Sequence, residues 1–154
     1  MDKIDKYLNS RADDFLMYKV SPNNELMDEI FSFDPRTVES VSGATISKYI
    51  IGLSQFLIYF SSQANKSKVL LMKKRRFLDL HVSQSSISGK TKAEKFRKVI
   101  DADGELQKVE EDIIALEQEL TMLDSLDKYY LELINAFKKE LGRKESELKS
   151  SKGF

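Results

Sequence analysis

The chain has 154 residues, the size of one ordinary domain, with 41% hydrophobic and 32% charged residues and a net charge of zero. That hydrophobic share excludes a bulk-disordered chain, and the absence of cysteine excludes disulfides and thiolate metal sites. Only two prolines occur, while Glu, Lys, Leu and Ser are prominent, a profile that favours helix.

The N-terminus, Met-Asp-Lys-Ile-Asp-Lys, lacks the apolar segment of a signal peptide. The longest near-apolar run, Tyr49 to Phe60, is interrupted by Gly52, Ser54 and Gln55 and is shorter than the roughly 20 residues of a membrane span. These features point to a soluble, cytoplasmic protein with no membrane partner.

Residues 3 to 19 are predicted to form a short amphipathic helix with Ile4, Leu8 and Phe15 on one face. Ser21-Pro22 reads as an N-cap followed by proline at the first helical position, opening a helix that buries Leu26, Ile30 and Phe31 or Phe33. Asp34-Pro35 repeats the start signal, and Ser42-Gly43 interrupts the chain again. Residues 1–43 are therefore expected to be short N-terminal helices, distinct from a helical region over 44–149.

From Ala44 to about Val82 there is no proline, and glycine occurs only at Gly52. Ile46, Ile50, Leu53, Leu57, Phe60, Ala64, Ser67, Leu71 and Leu78 follow a spacing of three and four. One step is skipped between Leu71 and Leu78. The periodicity predicts a long helix over about 44–82. Residues 83 to 90 read as a polar, Ser-rich loop with little reason to fold alone. Thr91-Lys-Ala-Glu94 fits a capping box that opens a short helix carrying Phe96, Val99 and Ile100. Asp101-Ala-Asp-Gly104 breaks or bends the chain.

The last helix, about 104–148, has the clearest pattern. Leu106, Ile113, Leu120, Asp127, Ile134, Leu141 and Leu148 fall at one heptad seam position. Val109, Leu116, Leu123, Tyr130, Phe137 and Lys144 fall at the other, so eleven of the thirteen are apolar. A helix of this length runs roughly 65 Å at ~1.5 Å per residue, longer than a compact globule of this size. The seam must pack on another long helix, on another subunit, or on both. Residues 150–154 read as a flexible tail. The expected fold is all-α: two long helices joined by a polar basic loop and a short helix, in an oligomeric helical assembly.

The zero net charge hides a strong separation. Residues 66 to 98 contain Lys66, Lys68, Lys73, Lys74, Arg75, Arg76, Lys90, Lys92, Lys95, Arg97 and Lys98 against Asp79 and Glu94, a net +9. Residues 1 to 65 carry −3 and residues 101 to 147 carry −8. Such an island points to a polyanion. Lys73 to Arg76 are consecutive, so on a helix they spread around most of a turn and cannot all meet one acidic face. Phe77 and Phe96 lie close enough to stack on bases, and each also suits a core.

No constellation of catalytic residues occurs. His81 is the only histidine, and zinc spacing and His-Glu-x-x-His are absent. Gly89-Lys90-Thr91 imitates the end of a phosphate-binding loop, but the motif's first glycine would fall at Gln84 and no strand precedes it. The acidic residues of the last helix lie mostly off the seam, as expected of a solvated face. No metal, no cofactor and no enzymatic activity are expected.

Arg97-Lys-Val-Ile-Asp101-Ala-Asp-Gly-Glu-Leu-Gln-Lys-Val109 resembles a run in the UvsY family of phage recombination mediators. Lys74-Arg75-Arg76-Phe77 with Asp79 is similar to that family's Lys-x-Arg-apolar-Asp segment, and Gly89 fills the place of a glycine in its polar loop. The likeness covers roughly residues 50 to 148. It departs where the Asp is shifted by one residue, in the loop sequence, and in about forty additional N-terminal residues. The resemblance implies a small helical protein that forms a homo-oligomeric ring and binds single-stranded DNA. It further implies help to a RecA-like recombinase in displacing a single-strand-binding protein, within a phage-infected host cytoplasm. It assigns Lys74 and Arg76 to DNA binding, with Lys73 and Arg75 as adjacent additions. Together with the island, the expected nucleic-acid-binding residues are Lys73, Lys74, Arg75, Arg76, Lys90, Lys92, Lys95, Arg97 and Lys98. The expected oligomerisation residues are Leu106, Val109, Ile113, Leu116, Leu120, Leu123, Tyr130, Ile134, Phe137 and Leu141. The competing reading is a coiled-coil adaptor binding only protein, with the island paired to Glu110, Glu111, Glu117 or Glu119.

Overall fold

A computed structural model describes Lys3, Lys6 and residues 23–153. The expected helix over 3–19 and the Ser21-Pro22 start signal lie outside the described residues, apart from Lys3 and Lys6, which are helical. The elements are α1 (Asn24–Phe31), a 3-10 helix (Pro35–Ser40), α2 (Gly43–Gln84), α3 (Lys92–Asp101) and α4 (Gly104–Ser151). The fold is all-α, as the periodicity predicts, with no strand among the described residues. The two long helices, α2 and α4, pack together and each contributes to two compact units.

One unit is described over Lys3, Lys6 and residues 64–123, the latter being the second half of α2, the loop, α3 and the first part of α4. Its core is Leu71, Leu78, Val99, Ile100, Leu106 and Ile113, with Phe96, Val109, Leu116 and Leu120 packed around it. The spacing of three and four along α2 turns Leu71 and Leu78 to one side, and the heptads of α4 supply the matching stripe. The skipped step in the apolar spacing is Lys74. It lies on the buried face between Leu71 and Leu78, only 9% exposed, and its ammonium donates to the Asp112 carboxylate at 2.8 Å. An ammonium at that depth is tolerable only because a carboxylate meets it.

The loop that precedes α3 is tied down, in contrast to its polar composition. Ile87 packs against this core. The Ser85 hydroxyl accepts from the Ile87 N–H at 3.2 Å. A Cβ placed on Gly89 would stand 2.5 Å from the Lys95 backbone nitrogen, so the chain passes against the first turn of α3 where only glycine fits. The capping box forms with one change. The Thr91 hydroxyl accepts from the Glu94 N–H at 3.1 Å, while the Glu94 carboxylate reaches back to the N–H of Lys90 at 3.0 Å.

The other unit is described over residues 23–63 and 124–153. Its core is Met27, Ile30, Ile46, Tyr49, Leu53, Ile134 and Phe137. Rings dominate: Phe33, Tyr49 and Phe137 meet at 5.6 to 5.9 Å, and Tyr130 meets Phe31, Phe56 and Phe60 at 5.0 to 5.9 Å. Of the two rings that the sequence left open, Phe33 packs against this core, whereas Phe31 is 48% exposed and meets Phe56 and Tyr130 at its edge. Helix α1 is capped by the Asn23 side chain, which accepts from the Leu26 N–H. It lies so close to α2 that a Cβ on Gly52 would come within 2.5 Å of Leu26 Cδ2. Glu29 accepts from the Tyr49 hydroxyl at 2.9 Å and from Lys48 at 3.3 Å, which together hold its carboxyl below the ordinary glutamate value. The Asp34-Pro35 signal starts the 3-10 helix, and Ser42 accepts from the Thr45 N–H as α2 begins. Helix α4 continues to Ser151, into the stretch expected to be a tail.

Candidate nucleic-acid interface

All nine basic residues expected to bind nucleic acid lie in the 64–123 unit, on α2, the loop and α3. The fold divides them. Four meet carboxylates of the described residues, and Lys73 is also engaged within the chain. Lys74 is buried on Asp112. Arg75 pairs with Glu117. Arg97 bridges Asp101 at 3.0 Å and Glu110 at 2.9 Å, and these two acceptors, Glu110 foremost, hold its guanidinium above the ordinary arginine value. Lys98 pairs with Glu94 at 2.8 Å.

The other five differ in exposure. Lys73, Arg76, Lys90 and Lys92 are exposed and Lys95 is half-buried. Arg76, Lys90, Lys92 and Lys95 make no ion pair among the described residues, and neither does Lys68 of the same island. The cause of the division is the return of the chain. Residues 101–123, in the same unit, carry a net −7 and lay Glu110, Asp112 and Glu117 against one side of the +9 island. The side away from α4 keeps its charge.

Lys92 and Lys95 occupy the first turn of α3. Free amides make that end of a helix positive, so cations there are disfavoured and anions welcomed, typically by ~0.3–1 kcal/mol per charge. Only Glu94 offsets them within the turn.

Of the two candidate stacking aromatics, Phe96 packs against the core, whereas Phe77 is 44% exposed. The Phe77 and His81 rings lie 4.1 Å apart with 36° between their planes. The imidazole Nδ1 stands 3.0 Å from the Phe77 carbonyl, an acceptor, so that nitrogen carries the proton. Met72 and Leu80 on the same helix are also exposed. This apolar surface inside the basic segment was obscured in sequence. Its signal is that Phe77 sits one residue before the buried Leu78 and so about a quarter-turn off the core face.

The expected assembly residues of α4 are buried or half-buried within their own units. Leu106 and Ile113 are buried in the 64–123 core, with Val109, Leu116 and Leu120 beside them. Ile134 and Phe137 are buried in the other core and Leu141 lies against it. Tyr130 is enclosed by phenylalanine rings, and Leu123 is half-buried. Of the large apolar residues of α4 left exposed, Ile114, Met122, Leu126, Tyr129 and Leu131 lie off the seam, and Leu148, near the helix end, lies on it.

An open groove of about 430 Å³ is lined by Arg75, Asp79, Arg97, Glu110 and Ile114, among others. Each guanidinium there already has an acidic neighbour, and the groove holds neither a nucleophile nor a base–acid pair. Among the described residues no group of three or more His, Cys, Asp or Glu could hold a metal ion, and no helix is long and apolar enough to cross a membrane. Comparison with protein-family models, with curated proteins and with solved structures finds no match.

Proposed function

We propose that the protein is a non-enzymatic mediator of recombination that binds single-stranded DNA through the outward side of the 64–123 unit. The observation that carries this reading is a set of cations: among the described residues, Lys68, Arg76, Lys90, Lys92 and Lys95 have no acidic partner, although a −7 segment folds against their neighbours. A protein that needed its island only for internal pairing would leave fewer cations over, and would not set two of them on the positive end of a helix.

In this reading Arg76 and the 90–95 group capture phosphates, with little dependence on base sequence. Arg75 and Arg97 form exposed pairs that contribute roughly 0–1 kcal/mol each, so phosphates can compete for them. Lys74 is buried and acts in folding, which moves the functional weight of the Lys-x-Arg pair onto Arg76. Several copies in a homo-oligomeric ring would convert weak single contacts into firm binding, because later contacts are effectively intramolecular. Handing the strand to a RecA-like recombinase in place of a single-strand-binding protein completes the proposed role.

A second reading, a protein-only adaptor, is favoured by one specific observation: Arg75 and Arg97 reach Glu117 and Glu110. Fluorescence anisotropy with a labelled oligothymidylate over a salt series separates the two. Four phosphates captured per site predict a log-affinity against log-salt slope of about −3, from ~0.7 per phosphate on single strands. Joint replacement of Arg76, Lys90, Lys92 and Lys95 by Ala should flatten the slope and weaken binding while circular dichroism stays unchanged. No binding at low salt by the folded protein would leave the adaptor reading standing.

A further inference from the structure

Lys73, Arg76, Phe77 and Leu80 follow one another at i, i+3, i+4 and i+7 on α2, so they share one face of the helix. All four are exposed. The face lies about opposite the buried stripe of Leu71, Lys74 and Leu78, and so away from the acids of α4 that meet Lys74. From this arrangement, and resting on the single-strand reading above, we propose that this face is a base-stacking platform on which Phe77 receives a nucleobase while Arg76 holds a flanking phosphate.

The chemistry fits nucleic acid better than the alternatives. Phe77 is 44% exposed and is not among the residues of this unit's core. His81 lies against the ring and restrains it, and the 44% of Phe77 still exposed remains open to a second planar partner. Arg76 directly precedes Phe77 and stands about 100° round the helix from it, so its long side chain can reach the backbone of a strand whose base lies on Phe77. A membrane-seeking helix would present a broad apolar face. Here Met72, Phe77 and Leu80 are interleaved with two cations and Asp79, the pattern of alternating charge and π-surface that a single strand itself presents.

The test compares two probes of equal charge, a fluorescein-labelled oligothymidylate and an abasic oligomer of the same length. The full-length protein should bind the thymidylate more tightly than the abasic strand. Phe77→Leu, which keeps an apolar side chain and removes the ring, should weaken thymidylate binding about 5- to 150-fold, the span of base–aromatic stacking, and leave abasic binding unchanged. Arg76→Ala should weaken both. The chain contains no tryptophan, so Phe77→Trp introduces one local fluorophore, whose emission should be quenched by thymidylate and unaffected by the abasic strand. If Phe77→Leu binds thymidylate as wild type does while Arg76→Ala does not, the stacking platform is overturned and the single-strand reading survives. If wild type binds neither probe, the underlying reading fails. If it binds only phosphatidylserine vesicles, and Phe77→Leu abolishes that, the face is a membrane contact and the platform is likewise overturned.

Discussion

The same two helices build two units whose interiors solve the packing problem differently. In the 23–63 and 124–153 unit, aromatic rings fill the space between α2 and α4, and α1 lies against them. In the 64–123 unit the space is narrower in chemistry: aliphatic residues, one half-buried ring, and an ion pair set into the apolar stripe at Lys74. The first arrangement depends on area removed from water and on ring geometry. The second depends in addition on one electrostatic contact that must be kept. The difference teaches that cationic content in the second unit is not uniformly available for a ligand, since part of it is structural.

The contrast is broken most forcefully in the aromatic unit. Phe137 is 5% exposed and meets both Phe33 and Tyr49. Phe137→Ala should cost about 3–5 kcal/mol of unfolding free energy, read by urea denaturation. A loss under ~1 kcal/mol would mean that the rings do not carry this core.

The next effect belongs to the basic unit. Asp112→Ala leaves the Lys74 ammonium buried without its carboxylate. The cost should be about 2–3 kcal/mol, below the ~3–5 of a fully buried pair because the Asp112 side chain is 38% exposed. Lys74→Leu should do the opposite, leaving stability unchanged or raised by roughly 1 kcal/mol or more, since it continues the stripe of Leu71 and Leu78. Its affinity for single strands should match wild type. A Lys74→Leu variant that folds and loses DNA binding would return Lys74 to the interface and erase the division between structural and available cations.

How far the sequence foretold this arrangement depends on distance along the chain. Periodicity is local, so the long helices, the break at Asp101 to Gly104 and the stripe on α4 were all visible. The heptads could not say whether the seam was covered from within, because a helix of the same chain and a helix of another satisfy the same pattern. The structure places α2 on it. Charge is also local in sequence, which made the island conspicuous. Its neutralisation is not local: Lys74 meets Asp112 from 38 residues away and Arg75 meets Glu117 from 42. The gap in the spacing between Leu71 and Leu78 was the one sequence sign that a basic residue was turned inward. The loop misled for a related reason, since its composition is polar but Ile87 packs into the core and Gly89 passes against the start of α3.

The smallest effects sharpen the comparison through two glycines that meet the same obstacle at the same distance. A Cβ on Gly89 in the basic unit and a Cβ on Gly52 in the aromatic unit would each find an atom at 2.5 Å. At Gly89 the obstacle is backbone: the Lys95 nitrogen at 2.5 Å, its Cα at 2.9 Å and the Glu94 carbonyl carbon at 3.1 Å. Relief requires moving the loop or the start of α3, so Gly89→Ala should cost about 1–3 kcal/mol. It should also weaken binding, because Lys90, Lys92 and Lys95 move with that turn. At Gly52 the nearest obstacle is Leu26 Cδ2, the end of a side chain that can rotate. Alanine there gains up to ~1 kcal/mol of helix propensity, which the displaced Leu26 offsets, so Gly52→Ala should fall within about 0.5 kcal/mol of wild type. Thermal unfolding of the two variants side by side distinguishes a backbone contact from a side-chain contact. Equal losses would show that α1 is held against α2 as rigidly as the loop is held against α3.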